Sequence, residues 1–480
     1  MAEAEDKTDD SAKEGEQLQL GLQDAFVDNS ERHQVGLSDD FIREIAELID
    51  EDYTDRVQEL CRDMPAPDAA ELIVKLDGNR RRKLVEMLED ELDPETFSYL
   101  DRDLLNDLLE HTSGRNIAAI VNELDSDDAI GLITSLDEDR QSNIIRHLNR
   151  NLRAAVEEGL NFPEASAGRM MQREFVAVPQ FWTVGKTVDY LRAAATTLPD
   201  RFYNVFIVDP MHRFIGAVSL SHVLCAQRSI KIDTLVEEEY VTVPVTMDQE
   251  QVAMLFRRKD LLSAPVVDDD NQLIGVITVD DVVDVIQEEA GEDLLKMGGV
   301  SNPDFFSPPV TTVKARFWWL FINLGTAFID TFVISFFTGT IQKIVVLASL
   351  MPVVASMGGN AGTQTLAVVV RAIATKDLTD ANTWRTVLKE FLVGSINGIL
   401  FGIVMIIGVT VWYHSWKLGG IMAAAMIINL AAAGLSGTLI PLALHKTGFD
   451  PANSATVFLT TVTDVVGFVA FLGLAAWLLT

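Results

Sequence analysis

Two carboxylates lie inside long apolar stretches of the C-terminal part of the chain, at Asp330 and Asp464. A charged side chain at the middle of a bilayer costs about 2.5–3.5 kcal/mol on insertion scales, so its presence there usually has a functional reason. Carboxylate oxygens are also the ligands that hard cations such as Mg²⁺ prefer. Asp464 stands in the run TTVTDVVGF, Thr460–Phe468, among hydroxyl groups. For Asp330, a hydrogen-bonded role in helix packing is favoured at least as much as a functional role.

A polar patch interrupts another apolar stretch, MPVVASMGGNAGTQTLAVVVR, Met351–Arg371. In hydrocarbon, small and amide-bearing residues are favoured where helices pack closely or where the chain borders a water-filled cavity. One interpretation is therefore a tight packing seam, and the other is the polar wall of an ion conduit. We adopt the second and expect the pore to be lined by Gly358, Gly359, Asn360, Gln364 and Thr460.

A third group of carboxylates recurs along a segment predicted to be helical, Val282–Val300, and just before it. Spacings of three and four residues place them on one helix face, where like charges repel. Such a face is usually just solvated, but a divalent cation that bridges it to another acidic element cancels the repulsion. The carboxylates with this spacing are Asp281, Asp284, Glu289, Glu292 and Asp293.

Five apolar segments are each long enough for the roughly 20 residues that a bilayer core requires. An odd number of spans places the two ends of this part on opposite sides of the membrane. Seven Lys and Arg side chains flank the spans on the side of the preceding domains, against two on the other side, which puts those domains in the cytoplasm. The predicted spans are 316–337, 344–370, 390–413, 418–444 and 453–479.

The region 170–290 contains an internal repeat with an offset of 59 residues. The runs Phe206–Asp209 and Phe214–Ser219 reappear as Pro265–Asp268 and Leu273–Thr278. Two short apolar strands around a polar turn, followed by a helix, predict an α/β unit used twice. The pattern resembles a tandem pair of cystathionine-β-synthase-type (CBS) domains.

The resemblance to CBS domains implies a nucleotide site. In such domains a Ser or Thr after the second strand and an Asp three residues later hold the phosphate and ribose of an adenine nucleotide. The second repeat retains both, as Thr278 and Asp281, whereas the first has Ser219 followed by His222. Thr and Asp also commonly cap a helix at this position, so a structural role stays open.

The first 310 residues are strongly acidic, with 65 Asp and Glu against 29 Lys and Arg. Such a field attracts cations and repels nucleic acid. Residues 1–36 hold few large apolar groups, so we expect a disordered acidic tail that is not a signal peptide. Residues 37–165 show helical apolar spacing, with helices that end at Leu76 and Leu136, which predicts a solenoid-like helical domain. Asp127 and Asp128 in this domain are interpreted as helix caps, and the chain's two cysteines give no disulfide framework.

The polar patch in Met351–Arg371 closely resembles the signature of the MgtE family of magnesium channels and transporters, and the domain order agrees over roughly residues 40–480. The resemblance implies a homodimer in the cell (inner) membrane, with Asp464 as the pore ligand of a hydrated Mg²⁺. It also implies regulation by intracellular Mg²⁺ and by ATP or another adenine nucleotide at Thr278 and Asp281. The implied regulatory metal ligands are Asp281, Asp284, Glu289, Glu292 and Asp293.

The chain departs from the family pattern at two places. A Ser-x-Pro usually follows the Asp-Pro-Ala before the last span, whereas here Asp450-Pro451-Ala452 is followed by Ala455-Thr456-Val457. An Asn is usual in the fourth span where this chain has Gly434. These departures leave the selectivity among Mg²⁺, Co²⁺ and other divalent cations open.

The sequence thus predicts a multidomain protein with a helical N-domain at 37–165, a tandem CBS pair at 166–281, a connecting helix and linker at 282–310, and an all-α membrane domain of five helices at 311–480. A Mg²⁺-selective or broader divalent-cation channel is the favoured function. An ion-coupled secondary transporter that uses Asp330 as a titrating group is the alternative. The sequence contains no phosphate-cradling loop, zinc-protease motif or nucleophile elbow, so nothing in it supports an enzyme.

Overall fold

The computed structural model describes residues 36–88, 91–109, 112–199, 201–236, 240–300 and 306–479. The chain forms two compact units, Met1–Val285 and Ile286–Thr480. The predicted acidic tail, residues 1–36, lies outside the described residues except for Gly36.

Short helices make up the N-terminal part of the first unit, as the apolar spacing predicts. Two of them end in the same way. The carbonyl of Leu76 accepts a hydrogen bond from Nη2 of Arg81, and that of Leu136 accepts one from Nε2 of Gln141, both at 2.8 Å. These side chains satisfy carbonyls that a helix end leaves unpaired. The helices are Asp39–Asp50, Thr54–Cys61, Ala66–Lys75, Gly78–Leu88, Arg102–Leu109, Gly114–Val121, Ser126–Ser135, Glu138–Ile145 and Arg150–Gly159, with a 3₁₀ turn at Pro94–Phe97.

The predicted repeat folds into two three-stranded sheets of the same topology. In each sheet the first strand is parallel to the middle strand and the third is antiparallel to it. The register is repeated as well, with Asn204 opposite Ser219 and Ser263 opposite Thr278. The strands are β1 (Ala177–Pro179), β2 (Asn204–Val208) and β3 (Phe214–Ser219) in one sheet, and β4 (Val243–Pro244), β5 (Ser263–Val267) and β6 (Leu273–Thr278) in the other. The helices of this part are Ala167–Met170, Val184–Ala193, Leu220–Cys225 and Gln249–Lys259, with a 3₁₀ turn at Ile232–Leu235.

A helix that we call the connecting helix, Val279–Met297, begins directly after β6, three residues before the predicted start. It ends at a glycine turn. Gly299 has a φ of 75°, a left-handed conformation that glycine adopts without strain. A Cβ at this position would also collide with the ring of Trp319, so the turn fits only glycine.

Within the described residues, five helices are long and apolar enough to cross a membrane. The third begins ten residues before its predicted start. Hydropathy detects only the apolar core of a helix, and this helix has additional polar turns at its N-terminal end. A capping box of Thr379 and Asn382 stabilises these turns. The first begins at Pro309, a residue type that suits the first turn of a helix. The five are Pro309–Ser335, Val346–Ala374, Asp380–Tyr413, Trp416–Lys446 and Pro451–Leu479, with a short helix Thr338–Lys343 after the first.

The fourth membrane helix is the most buried of the five, and its small residues let its neighbours approach closely. Gly437 packs against Gly362 and Thr365 of the second helix, and Gly434 packs against the backbone of Glu390 in the third. Small residues at helix contacts are a usual means of packing in membranes. A side chain larger than glycine at position 434 would therefore meet the third helix in this chain.

Candidate functional site

A cavity of about 300 Å³ is formed by the first and fifth membrane helices and the turn after the connecting helix. It reaches from Met297 and Gly298 to the two membrane carboxylates, Asp330 and Asp464. A polar cavity of this size has room for several water molecules. Its other polar or aromatic lining residues are Trp319, Asn323, Thr326, Thr456, Thr460 and Thr461.

The lining positions have the same spacing on both helices. An i, i+4, i+7 spacing places side chains on one helical face. Because three spans separate the first helix from the fifth, the two cross the membrane in the same direction, and their cavity-lining residues follow one another in the same order. The matched sets are Asn323, Ala327 and Asp330 on the first helix and Val457, Thr461 and Asp464 on the fifth.

Hydroxyl groups of the fifth helix add oxygen atoms to this wall. Oγ1 of Thr456 donates to the carbonyl of Met297 at 3.2 Å, and Oγ1 of Thr460 donates to the carbonyl of Thr456 at 2.9 Å. Since these protons are used on backbone carbonyls, the hydroxyl lone pairs remain available as acceptors. The cavity therefore offers carboxylate, amide and hydroxyl oxygens, the donor set that suits a hydrated Mg²⁺.

Two of the predicted pore residues, Asp464 and Thr460, line this cavity, and the four from the second helix do not. Gly358 is buried against the side chain of Asn429, whose Nδ2 donates to the carbonyl of Val354 at 2.8 Å. A Cβ at position 358 would collide with this amide. At Gly358 the second and fourth helices therefore pack closely, which agrees with the packing seam that was the other interpretation of the polar patch.

The other three predicted pore residues of the second helix, Gly359, Asn360 and Gln364, lie on a different face of that helix from Gly358. Gly359 is half-buried, and a Cβ built there meets no atom within 4 Å. Asn360 and Gln364 are exposed. Their role as pore-lining residues stays a prediction that concerns an assembly of more than one chain.

The predicted regulatory carboxylates of the connecting helix have different surroundings. Nζ of Lys296 lies 2.8 Å from Oε1 of Glu292 and 3.1 Å from Oδ2 of Asp450. Burial opposes the charge on Lys296, but its bonds to these two carboxylates outweigh that effect and raise its pKa. Burial, and next the charge of Asp450, raises the pKa of Asp293. Glu292 is thus already paired with a lysine, whereas Asp293 would gain more from a bound cation.

Two carboxylates that the sequence analysis interpreted as helix caps lie close to Asp281 in the first unit. Burial, and next the charge of Asp281, raises the pKa of Asp128 to about 7. The same two causes raise the pKa of Asp127 well above its usual range, and its Oδ1 is buried without a hydrogen-bond partner. Burial also raises the pKa of Asp281 to about 6. No local signal separates such residues from ordinary caps, because only the fold brings them to Asp281.

This acidic cluster, Asp127, Asp128 and Asp281, does not form a closed metal cage. Among the described residues, no three Asp, Glu, His or Cys side chains stand close enough together to ligate one metal ion. Mg²⁺ keeps several of its waters and is usually held by one or two carboxylates. Within the cluster, Oδ1 of Asp127 is a buried oxygen that no protein group satisfies.

Thr278 and Asp281, the predicted nucleotide ligands, bond to each other. Oδ2 of Asp281 accepts hydrogen bonds from Oγ1 of Thr278 at 2.7 Å and from its backbone N–H at 3.3 Å, which caps the connecting helix. Thr278 also lines a cleft between the repeats, together with Arg201 and Asn204. Nδ2 of Asn204 donates to Oγ of Ser263 at 2.9 Å across this cleft. The cleft encloses about 10 Å³, the space of a single water, so a nucleotide would have to widen it.

Glu390 is a buried carboxylate that no pattern in the sequence distinguishes. It lies in the third membrane helix and is 7% exposed. Its Oε2 accepts a hydrogen bond from Oγ1 of Thr365 at 3.3 Å, and its Oε1 lies 3.2 Å from Nζ of Lys389. These contacts neutralise the charge and tie the second helix to the third, so we assign Glu390 a structural role.

Comparison with known proteins agrees with this architecture. Residues 351–474 match the MgtE family model, described as a divalent cation transporter, residues 64–165 match the MgtE intracellular N domain, and residues 232–288 match a CBS domain. The chain is 33% identical to the magnesium transporter MgtE of Enterococcus faecalis over 321 residues, 67% of this chain and 71% of that protein. It is 29% identical to the magnesium transporter MgtE of Bacillus subtilis over 445 residues, 92% of this chain and 95% of that protein.

Among solved structures, the chain is similar to the cytosolic domain of the Mg²⁺ channel MgtE in complex with ATP, at 27% identity and a TM-score of 0.47, over 51% of this chain and 99% of that one. The family match itself rests on the sequence relatives and on the matched membrane domain. The protein is a multi-pass membrane protein with a CBS domain, and it belongs to the MgtE family of divalent cation transporters.

Proposed function

We propose that this chain is a magnesium channel that works as a homodimer in the inner cell membrane, with its first unit in the cytoplasm. Family membership supports magnesium as the transported ion. The excess of Lys and Arg on one side of the spans supports the orientation. The observation that carries the proposal is the oxygen-lined cavity that holds Asp464 and Thr460.

The surface of the second unit supports the dimer. Asn360 and Gln364 are exposed in the middle of a membrane helix. Polar side chains in contact with hydrocarbon lack hydrogen-bond partners, so they favour a second copy or a water-filled path beside them. A pore between two copies, lined by Gly359, Asn360 and Gln364, would place both a second copy and a water-filled path beside these side chains.

Cytoplasmic Mg²⁺ closes the pore in this proposal. The acidic cluster lies at the start of the connecting helix, and Asp284, Glu289, Glu292 and Asp293 follow along it. Without a cation these charges repel, and bound Mg²⁺ removes the repulsion and favours a compact closed state. Moving such an equilibrium from 1:99 to 99:1 takes about 5.5 kcal/mol of differential binding, so several weak sites must act together.

An adenine nucleotide is the second regulator in the proposal. The CBS match supports a nucleotide-binding cleft, and Arg201 at its edge is suited to a phosphate group. Asp281 would contribute to both Mg²⁺ and nucleotide regulation, because it caps the connecting helix beside Thr278 and also belongs to the acidic cluster.

Ion flux into proteoliposomes tests the central proposal. Asp464→Ala should reduce Mg²⁺ flux at least about 100-fold, because it removes the pore charge, and Asp464→Glu should keep part of it. Competition among Mg²⁺, Co²⁺ and Mn²⁺ in the same vesicles determines the selectivity. Normal flux through Asp464→Ala would contradict the pore assignment.

An ion-coupled secondary transporter remains the second candidate, and Asp330 is the observation that favours it. A second carboxylate beside the ion path is a group that protons can titrate during a transport cycle. Reversal potentials measured in a proton gradient separate the two mechanisms. A channel gives the potential of Mg²⁺ alone, whereas a coupled transporter follows the proton gradient as well.

A further inference from the structure

We propose that Asp330 is a second cation ligand, and that with Asp464 it forms a two-carboxylate site for a partly hydrated divalent cation inside each membrane unit. The inference rests on the proposed function, because it takes the cavity at Asp464 as part of the ion path. It goes beyond that function by giving each chain its own binding site.

The placement of the two carboxylates is the first argument. They occupy the same position in two matched i, i+4, i+7 sets on helices that run in the same direction, and both line one cavity. A packing role for Asp330 would require only a hydrogen-bond partner, and would not require a carboxylate on the facing helix.

The hydrogen bonding of Asp330 is the second argument. Its Oδ1 is buried and makes no hydrogen bond with the protein. An unpaired buried polar atom is costly, and native structures contain few of them. By contrast, the buried carboxylate of Glu390 has both a lysine and a hydroxyl partner. The difference indicates that Asp330 takes its partner from the contents of the cavity.

The remaining donors complete a site for a dication. Asn323 lies two helical turns before Asp330 on the same face, and Thr326 lies one turn before it. Oγ1 of Thr326 donates to the carbonyl of Asn323 at 2.8 Å, which leaves its oxygen lone pairs as acceptors. Two carboxylates balance the charge of one divalent cation, and the neutral oxygens support its water shell.

The test is the concentration dependence of Mg²⁺ flux by the full-length protein in proteoliposomes, measured for the parent, Asp330→Asn, Asp330→Glu and Asp464→Asn. A matched control is Asp377→Asn, which makes the same chemical change outside the cavity on an exposed loop residue. Asp330→Asn is nearly isosteric and removes a charge from the membrane, so the variant should fold. A melting curve of each purified variant checks this.

Asp330→Asn should raise the half-saturating Mg²⁺ concentration at least about tenfold, because a dication about 6 Å from a lost negative charge loses that much affinity even in a water-like dielectric. Asp330→Glu should recover part of the loss, and Asp377→Asn should behave like the parent. A parental half-saturation in Asp330→Asn overturns the inference, whether or not its melting temperature changes.

Two further results separate this inference from the proposed function. If Asp464→Asn abolishes flux while Asp330→Asn keeps the parental affinity, the pore assignment stands and the two-carboxylate site is wrong. If Asp330→Asn instead keeps its Mg²⁺ affinity but loses a dependence of flux on the proton gradient, Asp330 is a proton-coupling group and not a cation ligand.

Discussion

Carboxylates stand together in two regions of this molecule, and their settings differ. In the second unit, Asp330 and Asp464 stand on long helices at matched positions and line one cavity. In the first unit, Asp127, Asp128 and Asp281 stand in the first turns of two helices and form no closed cage. A pair held by rigid membrane helices suits the passage of an ion, because its geometry changes little. A loose cluster at helix ends suits sensing, because a cation changes the repulsion within it.

We therefore expect separate groups of acids to carry conduction and control. Neutralising the membrane pair should stop or weaken the flux itself. Neutralising the cytoplasmic acids should leave the open pore intact and change only the conditions under which it closes.

Among the cytoplasmic groups, the largest effect is expected from the triple variant Glu289→Ala, Glu292→Ala and Asp293→Ala. The change removes both the repulsion that opens the channel and the ligands that close it, and we expect ligation to dominate. The variant should then stay conductive at millimolar cytoplasmic Mg²⁺, with the closing concentration raised at least about tenfold. Patch-clamp recording at stepped cytoplasmic Mg²⁺ measures this shift.

A charge-matched control for the triple variant is Asp139→Ala, Asp269→Ala and Asp270→Ala, which removes three exposed carboxylates from the first unit. This control should close like the parent. A triple variant that closes at the parental Mg²⁺ concentration rules out these acids as the sensor. A triple variant that no longer conducts under any condition would contradict the expectation that these acids control the pore without taking part in conduction.

A smaller effect is expected from pH on the acidic cluster. The folded state holds the pKa of Asp128 at about 7 and that of Asp281 at about 6, above the usual Asp value of about 3.9. The folded state therefore binds more protons than the unfolded state, so its stability falls as pH rises from about 4 to about 7. Limited proteolysis of the full-length protein without divalent cations should show cleavage of the first unit increasing across this range.

Two variants sharpen the pH experiment. Asp128→Asn removes the group with the higher pKa and should flatten the upper part of the pH dependence, whereas Asp269→Asn, an exposed carboxylate of the same unit, should not. Added Mg²⁺ should restore protection near pH 7, because the cation replaces the lost protons. Protection that grows with pH in the cation-free protein would show that these carboxylates do not repel one another.

The smallest effect is expected from nucleotide. ATP at about ten times its dissociation constant stabilises the folded state by about 1.4 kcal/mol, a rise of a few degrees in the melting temperature of a unit of this size. Asp281→Ala should reduce this ligand-induced rise. The ATP-induced shift in melting temperature is compared, and not the melting temperature itself, because Asp281→Ala also removes the cap on the connecting helix and so lowers the stability without ATP.

The control for the nucleotide experiment is again Asp269→Asn, which should keep the full ATP-induced shift. If millimolar ATP shifts neither the parent nor the control, the CBS pair acts as a mechanical linker, and Thr278 and Asp281 serve only as a helix cap.

Much of the architecture follows from local patterns. Hydropathy identifies the five membrane helices, and the 59-residue repeat predicts two sheets of one topology, since both signals depend on neighbouring residues. The start of the third membrane helix was predicted ten residues late, because the signal reports apolar composition and the helix extends beyond it. The packing of Gly358 against Asn429 was not predicted, since it depends on which face of one helix meets another.

The sequence alone determined the order of the parts, the isolated charges at Asp330 and Asp464, and the family to which the chain belongs. These are properties of composition and spacing along one segment at a time. Only the tertiary structure decided that Asp330 shares a cavity with Asp464, and that Asp127 and Asp128 lie beside Asp281. A carboxylate's partner is set by the helix face that packing turns toward it, and in both cases the partner lies more than a hundred residues away along the chain.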